Sequence, residues 1–185
     1  MTTVSEVLRF LNTIAPPDKA MDWDNNGLLC GSKSKAVQTI LVALDPFEDV
    51  AREAAAMGAD LLVTHHPLIF RPIRAVNDVT GVGRTIQALI RHDISAINLH
   101  TNLDVAPEGV NHVLAQTLGM QNVCILNPTE PGWGLLRGGE VEEQSLEQFL
   151  EHVKNTLHTP VLRYADGGRP VHRVACGGGA CADEI

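Results

Sequence analysis

The sequence predicts an α/β protein with a mixed, largely parallel sheet flanked by helices, followed by the start of a second α+β lobe. Short apolar runs alternate with segments of helical periodicity up to about residue 118, and this order is typical of parallel sheets with right-handed crossovers. The runs are continuously apolar, as expected for strands that are covered on both faces. From about residue 127 proline and glycine crowd together, which indicates a boundary or a strand-and-turn segment.

The first lobe is predicted to begin with a helix, because Thr3 and Glu6 have the spacing of a capping box. Pro16 and Pro17 end this helix, and a polar, turn-like stretch follows at residues 21–29. Apolar runs then predict three buried strands, at residues 39–44, 60–64 and 94–99. Helical periodicity predicts three further helices, at residues 50–57, 82–92 and 109–118.

The second lobe has a different pattern. Residues 145–157 are predicted to form a helix, and residues 160–164 and 172–176 are predicted to form strands. The expected domains are therefore an α/β lobe at residues 1–126 and an incomplete α+β lobe at residues 127–185. The second lobe breaks off at Ile185 just where a further helix is expected.

Composition excludes several classes of function. The 185 residues carry a formal net charge of −8, whereas adhesion to nucleic acid needs a basic face. No run approaches the ~20 apolar residues of a membrane span, and the N-terminus lacks the basic region of a signal peptide. The four cysteines form no C-x-x-C pair, so they are expected to be reduced thiols in a soluble cytoplasmic protein.

Chemically competent side chains follow all three predicted strands of the first lobe. Asp45 follows the first strand, His65 and His66 follow the second, and His100 and Asp104 follow the third. Because the carboxyl ends of parallel strands meet at one edge of a sheet, we expect a metal site there. Imidazole and carboxylate ligands suit zinc, iron or manganese. Adjacent histidines can share a site only where the strand has ended, and they suit two neighbouring ions better than one.

Each of these residues also has a simpler interpretation. Asp45 and Asp104 have the pattern of helix caps or turn residues, and the His65-His66 pair has that of a turn. His100 can orient a ligand instead of binding the metal itself. Asp45 is the best spare carboxylate, so it is the candidate catalytic residue for proton transfer.

Four segments together resemble the dinuclear metal-centre proteins known as GTP cyclohydrolase I type 2 homologues. They are residues 23–28 (WDNNGL), 44–46 (LDP), 64–70 (THHPLIF) and 100–104 (HTNLD). The resemblance implies that His65, His66 and Asp104 are metal ligands and that the protein forms a homohexameric toroid. Family members complete the site with a histidine and a glutamate four residues apart near the C-terminus, and this sequence stops before such a motif.

The leading hypothesis is therefore a protein with two divalent ions (zinc, iron or manganese) that hydrolyses a nucleotide or a phosphoester. Because the chain is acidic, we expect the metals to supply the positive charge that a phosphate needs. The alternative is a non-catalytic, hexameric metal-binding scaffold or regulatory protein, since the identifiable side chains are metal ligands and include no dedicated general base. A structural α/β domain without metal is the third possibility.

Overall fold

The computed structural model describes residues 1–179 and 181 of the chain. The N-terminal part is built on β1 (Gly27–Cys30), β2 (Ile40–Ala43), β3 (Leu61–Thr64) and β4 (Ser95–Asn98). Their order in the sheet is β1-β4-β3-β2. β2, β3 and β4 run parallel, whereas β1 is antiparallel to β4. The predicted mixed, largely parallel sheet is confirmed.

Helices cover both faces of this sheet because neighbouring strand residues point to opposite sides. Leu62 and Ala96 pack on one face against α2 (Glu48–Ala56) and α3 (Gly81–Arg91). Leu61 and Val63 pack on the other face against α1 (Val4–Ile14), whose first residue is fully buried. A short helix, α4 (Thr101–Val105), follows β4. The parallel strands thus all enter their loops at one edge of the sheet.

The first apolar run was predicted to be covered on both faces, and this prediction is wrong for β2. Leu41 and Ala43 contact the core beneath α2 and α3, but Val42 on the opposite face is 74% exposed. The position of β2 in the sheet explains this exposure. β2 is an edge strand, and α1 packs instead on Leu61, Val63 and Ile97 of the two neighbouring strands.

β1 lies in the stretch that the sequence predicts to be turn-like. Its antiparallel pairing with β4 depends on a close approach between the two chains. Gly31, which follows the strand, has a φ of +99°, and a Cβ placed there would lie 2.2 Å from the Ser95 hydroxyl oxygen. Only glycine fits this conformation and this spacing. The short GLLC run contains too few residues to show a strand period by itself.

The C-terminal part contains a second, antiparallel sheet. Its strands are β5 (Gln121–Leu126), β6 (Leu136–Gln144) and β7 (Val171–Cys176), in that order across the sheet. Two helices, α5 (Val110–Thr117) and α6 (Leu146–Thr156), accompany it. Residues 160–164 were predicted to form a strand, but they belong to no strand of the structure. The segment begins with a proline, which has no N–H to donate to a neighbouring strand. It is also mostly exposed, so burial does not stabilise a strand there.

The chain separates into two compact units, Met1–Leu103 and Asp104–Ile185. This division falls earlier than the predicted boundary between residues 126 and 127. A buried arginine, Arg137, explains why residues beyond 103 belong to the second unit. Its guanidinium donates to the Gly134 carbonyl at 2.6 Å and to the Ala106 carbonyl at 2.8 Å, and Gly134 N–H donates to the Val105 carbonyl at 3.2 Å. These bonds fasten the chain after α4 to β6.

Among the residues with described structure, no helix has both the length and the apolar composition needed to cross a membrane. Cys30, Cys124 and Cys176 are free thiols, as the sequence predicts.

Asp60 anchors the start of β2, and this contact should make stability depend on pH. Its carboxylate accepts hydrogen bonds from Gln38 N–H and Thr39 N–H, at 2.8 and 3.1 Å, and these bonds lower the pKa of Asp60. A lowered pKa stabilises the fold above the unfolded-state value near 3.9 and ceases to do so as the pH falls through the folded-state value. Asp60→Asn should therefore cost less than about 1 kcal/mol at pH 7 in urea unfolding, because solvent screens the site. The difference from the unaltered protein should vanish in strong acid; a constant difference would contradict the prediction.

Candidate metal centre

The site lies where the parallel strands of the first unit end. β3 stops at Thr64, and the backbone then turns at His65 and His66, whose N–H groups donate to the carbonyls of Ala43 and Leu44. The Thr64 hydroxyl donates to the His66 carbonyl at 2.8 Å and holds the turn. Because the regular strand has already ended, the two adjacent histidines are free of the alternation that would separate their side chains.

Three imidazole rings meet at this edge of the sheet. His65, His66 and His100 each offer a ligand atom, and these atoms lie within 4.8 Å of one another. The ring centroids are 5.0 Å apart for His65 and His66, 5.3 Å for His65 and His100, and 5.8 Å for His66 and His100. The group can hold a metal ion.

Each ring is oriented by an oxygen atom on its Nδ1 side. His65 Nδ1 lies 3.0 Å from the Leu99 carbonyl, His66 Nδ1 lies 2.7 Å from Asp45 Oδ1, and His100 Nδ1 lies 2.8 Å from Asp24 Oδ1. A carbonyl or carboxylate oxygen accepts the bond, so Nδ1 is the protonated nitrogen in each ring. The lone pair that binds a metal is then on Nε2. Partners of this kind set the tautomer and raise the basicity of metal-binding histidines.

Asp24 belongs to the candidate site through its contact with His100, although the sequence did not single it out. Its side chain is fully buried, and its carboxylate accepts bonds from Thr101 N–H and hydroxyl and from Asn25 N–H as well as from His100. Burial raises the pKa of Asp24, but the hydrogen bonds from Thr101 and His100 outweigh that effect and leave the pKa below its ordinary value. Asp24 is thus an anion that holds His100 in place.

The predicted site residues have different positions in the structure. His65 and His66 are in the cluster, and His100, predicted as a possible orienting residue, is in it as well. Asp45 contacts His66 and is a partner of the ring. Asp104 is buried in α4 and is the first residue of the second unit; its role as a ligand stays a prediction. His152 and His172 belong to the second unit, where backbone carbonyls lie within hydrogen-bond distance of their rings.

The chemistry of these groups fits a transition metal. Three imidazoles held by outer oxygen partners are a donor set for zinc, iron or manganese and not for calcium, which prefers oxygen ligands. Two carboxylates, Asp24 and Asp45, stand behind two of the rings. A histidine–carboxylate pair behind a metal is a recurrent arrangement in metal sites.

A cavity of about 830 Å³ opens beside the cluster, and His66 and His100 form part of its wall. Apolar and aromatic side chains line much of the wall, among them Phe47, Leu68 and Phe70. The Phe70 ring lies 6.1 Å from the His100 ring and 5.8 Å from the Trp23 ring. This volume is sufficient for a small organic molecule.

The sheet and the histidine cluster at its strand ends define an α/β protein with a candidate metal centre. The chain belongs to the Duf34/NIF3 (NGG1p interacting factor 3) family, which it matches over residues 2–185. The resemblance to GTP cyclohydrolase I type 2 homologues is confirmed, because curated relatives carry that name.

A protein of Halalkalibacterium halodurans called GTP cyclohydrolase 1 type 2 homolog is 40% identical over 161 residues, which are 87% of this chain and 40% of that protein. A Clostridium perfringens protein of the same name is 34% identical over 184 residues, 97% of this chain and 70% of that protein. The chain thus spans only part of these relatives, and less than half of the first.

Solved structures have the same fold. The Staphylococcus aureus hypothetical protein SA1388 superposes with a TM-score of 0.92 at 30% identity, covering 98% of this chain and 73% of that one. A Bacillus cereus protein related to NIF3 also has a TM-score of 0.92, at 25% identity, covering 98% of this chain and 77% of that one.

Proposed function

We propose that the protein is a metal-dependent hydrolase that binds two divalent ions and acts on a nucleotide or a phosphoester. The observation that carries the proposal is the convergence of three imidazoles, with their Nδ1 atoms already engaged, beside a cavity large enough for a substrate. The name shared by the relatives, GTP cyclohydrolase 1 type 2 homolog, supports a nucleotide as the substrate.

His65, His66 and Asp104 are the proposed ligands from the resemblance, and the geometry adds His100. Zinc, iron and manganese all suit these donors. Bound divalent metal lowers the pKa of water to near neutrality and so supplies a hydroxide nucleophile at physiological pH. The homohexameric toroid and the cytoplasmic location expected from the sequence remain parts of this proposal.

Asp45 has two proposed roles in this site. It accepts the His66 Nδ1 hydrogen bond, so it positions that ring. It also lines the cavity, and there its proposed role is to accept a proton from a bound molecule. In the first role Asp45 supports metal binding, and in the second it is the catalytic residue for proton transfer. Asp45→Asn, which keeps an oxygen acceptor, separates the two roles by comparing metal content with turnover.

Turnover tests the proposal directly. Protein loaded with zinc, iron(II) or manganese should hydrolyse at least one member of a panel of nucleotides, phosphomonoesters and phosphodiesters, and chelation should remove the activity. His66→Ala should lower kcat/KM by at least about 100-fold, as expected for loss of a group that assembles the reaction centre. His92→Ala is the matched control, because His92 is an exposed histidine of the same unit outside the cluster. Activity that is indifferent to chelator would contradict the proposal.

A non-catalytic, metal-binding scaffold is the second candidate, and one observation favours it. Both carboxylates found next to the cluster, Asp24 and Asp45, already hold imidazole rings, which leaves neither as a dedicated general base. Fully metallated protein that turns over none of the panel would favour this candidate over the hydrolase.

A further inference from the structure

The loop between β3 and α3 connects two parts of the cavity wall. It leaves the cavity wall after Phe70 and returns to it at Thr80, and residues 71–80 are all exposed. Residues 71–76, the arginine loop, contain Arg71 and Arg74 and no acidic residue. A connection of this length with no regular structure of its own is commonly functional.

Hydrogen bonds hold the chain on both sides of the arginine loop. Asn25 Nδ2 donates to the Ile69 carbonyl at 2.5 Å. Arg84 Nη1 donates to the carbonyls of Asp78 and Val79, at 2.9 and 3.3 Å. Within the described part of the chain, residues 71–76 take part in none of the hydrogen bonds or ion pairs. The loop can therefore change conformation without breaking a bond.

The two arginines of the cavity wall share one carboxylate partner. Arg84 Nε donates to Glu48 Oε2 at 2.7 Å, and Arg52 pairs with the other oxygen of the same carboxylate. The cavity wall carries the carboxylates of Asp45, Glu48 and Asp49 against these two guanidiniums, so its formal charge is −1. Without bound metal, the side chains of the wall therefore do not attract an anion. Arg71 and Arg74, next along the chain, form no ion pair within the described residues.

We propose that Arg71 and Arg74 bind the phosphate groups of a nucleoside polyphosphate held in the cavity, while Phe47 and Phe70 contact its base. Guanidinium groups pair with phosphate oxygens through two parallel hydrogen bonds. Phe47 and Phe70 are 62% and 46% exposed, and exposed rings on a cavity wall offer faces for stacking on a planar base. The inference rests on the proposed function for the identity of the site, and it supplies the cationic partner that the acidic composition did not predict.

The test is equilibrium binding, which needs no turnover. Calorimetry on the metal-loaded protein measures the Kd of GTP and of guanosine for the unaltered chain and for the Arg71→Gln/Arg74→Gln double variant. The double variant should bind GTP at least about 10-fold more weakly and guanosine equally well, because only GTP carries phosphates. Arg91→Gln removes one exposed charge elsewhere in the same unit and should change the GTP Kd by less than about twofold.

Proteolysis measures whether a bound ligand contacts the arginine loop. Trypsin cleaves at Arg74–Ala75, whereas Pro72 protects the bond after Arg71. GTP should slow cleavage at Arg74–Ala75 by about fivefold or more, since a bound ligand lowers the population of the open loop, and guanosine should not. Circular dichroism and metal content establish that the double variant is folded and loaded.

Two results would overturn the inference: a GTP Kd for the double variant within twofold of the unaltered value, or equal affinity of the unaltered protein for GTP and guanosine. Failure of the proposed function is a separate result. Arginine-dependent GTP binding without hydrolysis would remove the hydrolase and leave the inference intact. Hydrolysis that is equally fast in the double variant would remove the inference and leave the hydrolase intact.

Discussion

Replacing His100 by alanine should lower the affinity of the protein for zinc by at least about 100-fold, more than loss of an outer hydrogen-bond partner costs. The reason is the geometry of the cluster. The ligand atom of His100 lies within 4.8 Å of those of His65 and His66, and Asp24 holds its ring so that Nε2 is the metal-binding nitrogen. The family resemblance assigns the site to His65, His66 and Asp104, so this result would add a ligand to that set.

Competition with a chelator of known affinity, together with elemental analysis, measures the effect. His92→Ala should leave zinc binding unchanged, because His92 is exposed at the end of α3 and lies outside the cluster. His100→Gln keeps a polar side chain of similar length without an imidazole and should lose zinc as the alanine variant does. Unchanged zinc affinity in both His100 variants would show that His100 only forms part of the cavity wall.

The part of the fold that the sequence predicts well is the part whose signal is local. Residues 60–64 form one continuous apolar run, and β3 is buried along its whole length. Parallel strands end at one edge, so the neighbourhood of His65 and His66 follows from the order of the elements alone. His100 enters the cluster by the same rule, because it follows the strand that pairs with β3.

Contacts between distant segments were not predictable in this way. The Asp24–His100 hydrogen bond joins residues 76 positions apart, and it depends on the pairing of β1 with β4, which the short GLLC run did not reveal. Asp24 carried a signal only through its place in the WDNNGL segment. In the sequence, an aspartate followed by two asparagines has the pattern of an exposed turn. Only the fold shows that Asp24 is surrounded by a histidine and by two donors of Thr101.

The exposed face of β2 illustrates the same limit. Every residue at positions 39–44 is apolar or threonine. This pattern does not indicate which strand lies at the edge of the sheet. Val42 and Leu44 are 74% and 60% exposed because α1 packs over the neighbouring strands. The apolar composition of a strand allows its side chains to be buried, but the position of the strand in the sheet determines which of them are buried.

Asp24→Ala should have the second large effect, and it should act on two quantities. The substitution removes a buried anion and leaves Thr101 N–H, the Thr101 hydroxyl and Asn25 N–H without their acceptor. Each buried donor left without a partner costs up to about 1–3 kcal/mol. The free energy of unfolding of the metal-free protein, measured in urea, should therefore fall by roughly 2–4 kcal/mol. Zinc affinity should fall by about 10–100-fold, since the His100 ring loses its orienting partner. Asp22→Ala, an exposed aspartate two residues away, should change neither quantity.

A double-mutant cycle decides how Asp24 acts on the metal. If Asp24 works through His100, then Asp24→Ala should weaken zinc binding in the unaltered background and have almost no further effect in His100→Ala, because the group it orients is already absent. The loss of stability should persist in both backgrounds, since it comes mainly from the Thr101 and Asn25 donors. Additive effects on zinc affinity would mean that Asp24 acts on the site through its charge or through the backbone of residues 100–101. The hydrogen bond between Asp24 and His100 would then not be what orients the third imidazole.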